Sequence, residues 1–339
     1  GGGGIPLATI TGQVSGFQKI AEPGPDERQL IIVETTRQSP FRGNPWPGNG
    51  NVVDPNGDRT YTLNSRIGDL AVIAWGGLIN DRTGDFTPYA MGIRRYLFVS
   101  QDETYNVDIE LNIDLDHRMN FKLNGIQQGE PGPTINRVTP WVDLGFEGVF
   151  GNYDLAEGDG DILVAEHQAR LEGDLADARY YIYGGSYTNR GSPYAQSVLT
   201  DVTQIDGLIE LPELIGIPQP LLPLDGDIAV DGYVAFEPMT NNLPDFWHVQ
   251  IYQLPATLVW EITMPGEQTW FHLPRFPDFS DLPIEERPTP YAYDGNLYMI
   301  VSGARIDDFD FDRHEYLNDI RSRDRWTSWT RNAYFIGIE

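Results

Sequence analysis

From Tyr105 to Leu115 the chain alternates without a break. Val107, Ile109, Leu111, Ile113 and Leu115 are apolar, and Asp108, Glu110, Asn112 and Asp114 stand between them. Successive side chains on a strand face opposite ways, so this pattern fits a half-buried strand with one acidic, wet face and does not fit a helix. Leu30–Glu34 and Leu70–Trp75 are nearly continuous apolar runs, the pattern of more fully buried strands. Ile10–Val14 and Thr60–Leu63 are shorter ones. With 36 glycines, 25 prolines and 12% aromatic residues, the chain has the makings of many short strands joined by turns. The sequence thus predicts an all-β fold of two β-sandwich domains in tandem, with at most one or two short helices.

The later strands are rich in aromatics. Arg179–Tyr183 and Ser197–Val202 are expected to pair across Gly184–Pro193. Thr257–Met264 and Thr269–Leu273 flank Pro265-Gly266-Glu267, a hairpin signal. Ile228–Phe236, Trp247–Tyr252 and Leu297–Gly303 read as strands, and Ala333–Ile338 as a closing edge strand. Leu208–Leu224 carries four prolines, so it is expected to lie over a core as an extended loop and not as a central strand. His314–Arg321 is the expected helix, with Asp312 as its N-cap. Residues 124–137, from Asn124-Gly125 through Pro131-Gly132-Pro133, read as a linker. The expected division is a first sandwich over 1–123, the linker at 124–137, and an acidic, tryptophan-rich sandwich over 138–339.

In the first unit Asp54-Pro55-Asn56-Gly57-Asp58 predicts a tight turn, with proline presetting one angle and glycine supplying the positive one. The order Ile10-Thr11-Gly12-Gln13-Val14, Leu30–Glu34, Asn56-Gly57 with Tyr61-Thr62-Leu63, then Ala71-Val72-Ile73-Ala74 resembles the carboxypeptidase regulatory-like family. The resemblance covers about a third of the chain. It implies a prealbumin-like sandwich of seven or so strands, appended to a bacterial surface protein as a scaffold or binding accessory, with no catalytic residues. The stretch Thr35–Val53 is longer than the family's usual connection, and Asp81–Tyr96 is extra.

The net charge is −27, from 23 basic and 50 acidic residues. Binding phosphates needs a basic footprint, so nucleic acid is excluded as an expected partner. The excess is uneven: the first 128 residues hold 11 basic and 15 acidic residues, the rest 12 and 35. Only Lys19 and Lys122 are lysines. Such a surface suits salt or divalent cations. No cysteine is present, which excludes disulfides, thiolate metal sites and cysteine nucleophiles. No apolar run reaches the length that spans a membrane. The opening Gly1-Gly2-Gly3-Gly4 resembles the segment after the lipid-modified cysteine of bacterial lipoproteins, and equally a cloning linker. The first of these implies a lipid anchor at the N-terminus and an extracellular or outer-surface location in a bacterium.

Two acidic clusters are candidate calcium sites, because hard cations take oxygen ligands. Asp154, Glu157, Asp159 and Asp161 share a glycine-containing loop. Asp308, Asp310 and Asp312, following Asp307, interleave with Phe309 and Phe311 and would share one face of a strand. A solvated edge is the competing reading for both. Trp326 and Trp329, in the polar stretch Arg325-Trp326-Thr327-Ser328-Trp329, are candidate ligand-binding platforms. The competing reading for these and for Trp141, Trp247, Trp260 and Trp270 is sandwich core.

Catalytic motifs are missing: G-x-S-x-G, G-x-x-x-x-G-K-[ST], H-E-x-x-H and a post-strand G-x-G-x-x-G do not occur. His117, His167, His248, His272 and His314 are scattered. A spatially assembled triad or a pair of glycosidase carboxylates is the enzyme reading. The leading expectation is a non-enzymatic structural or assembly protein of the cell surface, contacting copies of itself or other surface proteins. The alternative is a glycan- or ligand-binding module, with polysaccharide as partner and calcium as an aid.

Overall fold

A computed structural model describes residues 7–39, 51–127, 132–151, 153–188, 191–253, 257–273, 283, 286, 297–315, 319 and 325–338. The chain is all-β. Among the described residues there is no long helix, only short helical turns.

The first nine strands are β1 (Leu7–Ser15), β2 (Glu27–Thr35), β3 (Asn51–Val53), β4 (Thr60–Arg66), β5 (Gly68–Asn80), β6 (Phe86–Val99), β7 (Thr104–Asn106), β8 (Ile109–Glu110) and β9 (Ile113–Asp114). They form two sheets, β4-β1-β7 with β8 on β1, and β3-β2-β5-β6-β9. β5 explains why Leu70–Trp75 shows no alternation. Leu70, Val72 and Ala74 enter the core between these two sheets. Ala71, Ile73 and Trp75 face the opposite way, into a second core. Both faces are dry, so both must be apolar.

The Tyr105–Leu115 segment keeps its predicted alternation: Val107, Ile109, Leu111 and Leu115 are buried and the four polar residues between Val107 and Leu115 are exposed. It is a seam, however, and not one strand. Its start runs parallel to β1, and its end pairs with β6 in the other sheet. The bend after Asp54 also differs in detail. The Gly57 amide bonds the Asp54 carbonyl as expected, but the left-handed residue is Arg59, with φ 64°.

The next strands are β10 (His117–Lys122), β11 (Ile135–Asp143), β12 (Val149–Gly151), β13 (Ala156–Gly158), β14 (Ile162–Gln168), β15 (Arg179–Tyr187), β16 (Tyr194–Val202) and β17 (Leu208–Glu210). β15 and β16 form the expected antiparallel pair. Packing crosses the expected linker. β10, before it, pairs with β14 and β17, after it. The second core mixes Trp75, Met91 and Phe121 with Val138, Leu163 and Tyr180. Glycine and proline favour a turn by composition, but composition of that kind does not divide a core.

The last strands are β18 (Pro218–Leu222), β19 (Ile228–Ala229), β20 (Tyr233–Pro238), β21 (Phe246–Gln253), β22 (Thr257–Pro265), β23 (Trp270–His272), β24 (Leu297–Ile306) and β25 (Trp326–Ile338). A ten-stranded sheet runs β12-β11-β15-β16-β25-β24-β21-β22, with β13 and β19 off that path. A third core lies between its β21–β25 end and the sheet β18-β20-β23. The predicted Pro265-Gly266 hairpin is a corner between sheets: β22 pairs with β21, and β23 pairs with β20. Gly266 is packed against backbone there, since a Cβ would stand 1.7 Å from the Pro244 carbonyl oxygen. Ala333–Ile338 belongs to β25, which is central and not an edge. β17 and β18, the strands at the ends of the proline-rich stretch, are edges, as proline requires. The helix expected over His314–Arg321 falls mostly outside the described residues. Before it, Asp310 rather than Asp312 caps a 3-10 turn over Phe311–Arg313 by accepting from the Asp312 amide.

Candidate interaction surface

The three most exposed aromatic side chains among the described residues lie together at one end of β6. Tyr96 is 64% exposed, Phe98 66% and Phe146 69%. The Tyr96 and Phe146 ring centroids are 6.4 Å apart, and Phe98 is two residues along the same strand. Phe146 comes from a short turn over Gly145–Glu147. Exposed aromatics in a cluster mark contact sites, because they bring large area at low rotamer cost.

Tyr96 is not there by default. It sits at φ 60°, in the left-handed region that bulky residues avoid. Opposite Leu70–Val72, β6 carries an extra residue, a bulge that re-aims the side chain. A buried acid holds this geometry. Glu147 is fully buried, and one carboxylate oxygen accepts from the Tyr96 amide at 2.6 Å. The other accepts from Arg95 Nε at 2.9 Å and Nη2 at 2.6 Å. Arg95 also donates to the Asp174 carbonyl at 2.9 Å and to the Asp177 carboxylate, and its guanidinium lies 4.7 Å from the Tyr96 ring centroid. Burial works against the Arg95 charge, and its hydrogen bonds to Asp177 and Glu147 more than offset this. The hydrogen bond from Arg95 holds the Asp177 carboxyl below its ordinary range. Its contribution is therefore present above about pH 4 and lost as pH falls through the depressed folded value.

The turn carrying Phe146 is docked through its backbone. The Glu147 carbonyl accepts from Thr36 Oγ1 and Arg66 Nη2. Arg37 and Val149 exchange backbone hydrogen bonds at 2.8 Å each way. Gly148 lies at φ 99°, and a Cβ there would meet the Arg37 carbonyl oxygen at 2.1 Å. Only glycine fits, so the turn's position is set by its own sequence.

The residues singled out from sequence lie elsewhere. Trp326 and Trp329 are 6% and 2% exposed, packed with Phe246, Ala304 and Ile306, and offer no face to a ligand. Their polar neighbours mislead because Ser328 and Thr330 are buried too, donating to the Gln196 and Tyr194 carbonyls. Among the described residues the most exposed tryptophan of the second half is Trp270, grouped with Tyr233 and His272. Asp154 accepts from the His167 amide and the Gln168 side chain, and Glu157 pairs with Arg137. The carbonyls of Asp159 and Asp161 accept from Asn136 and Leu123. Asp308 is in a turn at φ 57°, Asp310 caps its 3-10 turn, and Asp312 lies within that turn, so the three do not line one strand face. Among the described residues no three carboxylates or imidazoles converge on a cation-sized site.

No protein family matches the chain, and no curated protein does. Among solved structures, a candidate adhesin of Bacteroides ovatus is similar over 61% of this chain and 93% of its own, at 10% identity and TM-score 0.21. A tetra-tandem repeat from the extending region of a large adhesion protein is similar over 98% of this chain and 74% of its own, at 12% identity and TM-score 0.21. A second Bacteroides ovatus candidate adhesin covers 79% and 96%, at 9% identity and TM-score 0.16. Likeness at this level is too distant to assign a function.

The Tyr96 face was not visible as a site in the sequence. Tyr96 ends the stretch Asp81–Tyr96, which stands out only as extra to the family pattern, and nothing local announces the bulge. One signal was available: Gly145-Phe146-Glu147-Gly148 places an aromatic between two glycines, the composition of an exposed turn.

Proposed function

We propose that this chain is a non-enzymatic protein of the cell exterior that acts through protein–protein contacts made at the Tyr96–Phe98–Phe146 face. The observation that supports this most is the strained, ion-pair-braced display of Tyr96. Left-handed geometry at a bulky residue costs about 1–2 kcal/mol, which a glycine at this position would avoid. The fold thus retains a local cost in favour of an exposed ring. The face is preformed, so binding loses little further side-chain entropy.

Copies of the chain are the first partner to test. A net charge of −27 opposes self-association at low salt. At about 0.15 M salt, screening shortens repulsion to roughly 8 Å, and apolar contact can prevail. Sedimentation velocity should therefore show association rising with salt. Tyr96→Gly should abolish it and at the same time raise folding stability by about 1 kcal/mol, since the left-handed strain disappears. A wild-type chain that stays monomeric at every salt concentration and captures no surface protein through this face would rule the reading out. So would a Tyr96→Gly variant that associates normally.

A further inference from the structure

A second feature shares with the aromatic face the backbone bridge between Arg37 and Val149. Glu34, Thr35 and Arg37, from the end of β2, line a pocket of about 150 Å³ with Thr139 and Trp141 of β11, Phe150 and Gly151 of β12, and Tyr153. It is well below the ~300–1,000 Å³ of drug-sized pockets, so its occupant is a single small ring and not a chain of them.

Its two charged groups are underused. One Glu34 oxygen accepts from Trp75 Nε1 at 3.0 Å, and the other has no protein donor among the described residues. Burial pushes the Glu34 carboxyl up, against smaller opposing effects from Trp75 and Arg37. The Arg37 guanidinium lies 5.2 Å from the Trp141 ring centroid, a cation–π contact that fixes it against the wall. Glu34 and Arg37 line the same space without a hydrogen bond to each other. A half-buried acid and a positioned cation left with spare capacity point to a third group that bridges them.

We propose that this pocket binds one sugar ring, the terminal residue of a glycan, with Glu34 and Arg37 taking its hydroxyls and the exposed ring of Tyr153 its C–H face. A hydroxyl is the group that serves both sides, since it donates to a carboxylate and accepts from a guanidinium. A neutral ring also brings no whole charge into a wall made of Trp141, Phe150 and Tyr153. An amino-acid zwitterion would bring two, each with a desolvation cost. The pocket can be altered without losing its frame. The Arg37 backbone stays bridged to Val149 whatever its side chain, and glutamine at position 34 can still accept from Trp75.

The test is saturation-transfer NMR with the methyl glycosides of glucose, galactose, mannose and N-acetylglucosamine, and with glycine and alanine as zwitterion probes. At least one glycoside should show transfer, with a dissociation constant on the order of 1 mM. Arg37→Gln and Glu34→Gln should each weaken it about tenfold or more while leaving the urea-unfolding midpoint in place. Should Arg37→Gln prove unstable, Glu34→Gln alone decides. No transfer from any glycoside, transfer that survives the substitutions, or a preference for glycine or alanine would each overturn the assignment.

Discussion

Glu147→Ala is expected to lower the unfolding free energy by about 3–5 kcal/mol, the scale for breaking a buried ion pair from one side. Arg95 keeps Asp177, but Asp177 is largely exposed, and its pairing is screened. The Tyr96 amide loses its acceptor as well, a further penalty if water cannot reach it. The main-chain bonds of Glu147 to Thr36 and Arg66 survive the substitution, so the turn should stay docked while the network beneath Tyr96 fails. Glu147→Gln separates the two roles. Its amide oxygen can still accept from Tyr96, but it no longer neutralises Arg95, and a loss of about 1–3 kcal/mol is expected. Urea unfolding measures both. Association should fall in the alanine variant even under conditions where it remains folded, because Tyr96 is then free to leave its left-handed geometry. A Glu147→Ala chain with wild-type stability would mean that the buried pair does not brace this face.

The all-β class was legible because it rests on periodicity, and periodicity follows from burial. Val107 to Leu115 alternates since one side is wet; Leu70 to Trp75 does not, since β5 is covered on both sides. Partner choice was less legible. The same Pro265-Gly266 bend serves a hairpin or a corner between sheets, and what decides it is the approach of Pro244, distant from local sequence. Trp326 and Trp329 looked exposed because their neighbours are polar, yet Ser328 and Thr330 satisfy backbone carbonyls of β16 from inside the fold. Polar composition reports wetness only where no internal partner waits. The Tyr96 face lies beyond sequence reading for the same reason. The residue that fixes it, Glu147, is 51 positions away.

The stretch read as a linker holds the residue with the second large expected effect. Gln127 is 2% exposed. Its Nε2 donates to the Ile215 carbonyl at 2.7 Å, and its Oε1 accepts from the Ile217 amide at 2.6 Å. It acts as a missing strand for the segment between β17 and β18, where prolines at 212 and 218 rule out a regular ladder. Other amides continue this role: Asn124 donates to the Leu211 carbonyl, Asn242 to Leu214 and Asn332 to Pro218. The segment needs such partners because Leu214, Ile215 and Ile217 are fully buried. It also joins cores, with Leu211 in the second and Leu214 and Ile217 against Ala195 of β16. Gln127→Leu keeps the volume but strands one carbonyl and one amide. At about 1–3 kcal/mol for each, the expected loss is roughly 2–5 kcal/mol. Hydrogen exchange gives the sharper readout. The Ile217 amide should lose protection well beyond what global destabilisation accounts for, while amides of β5 should follow the global change alone. If Ile217 stays as protected as in the wild type, apolar burial by itself holds the strap, and the amide bracket is incidental.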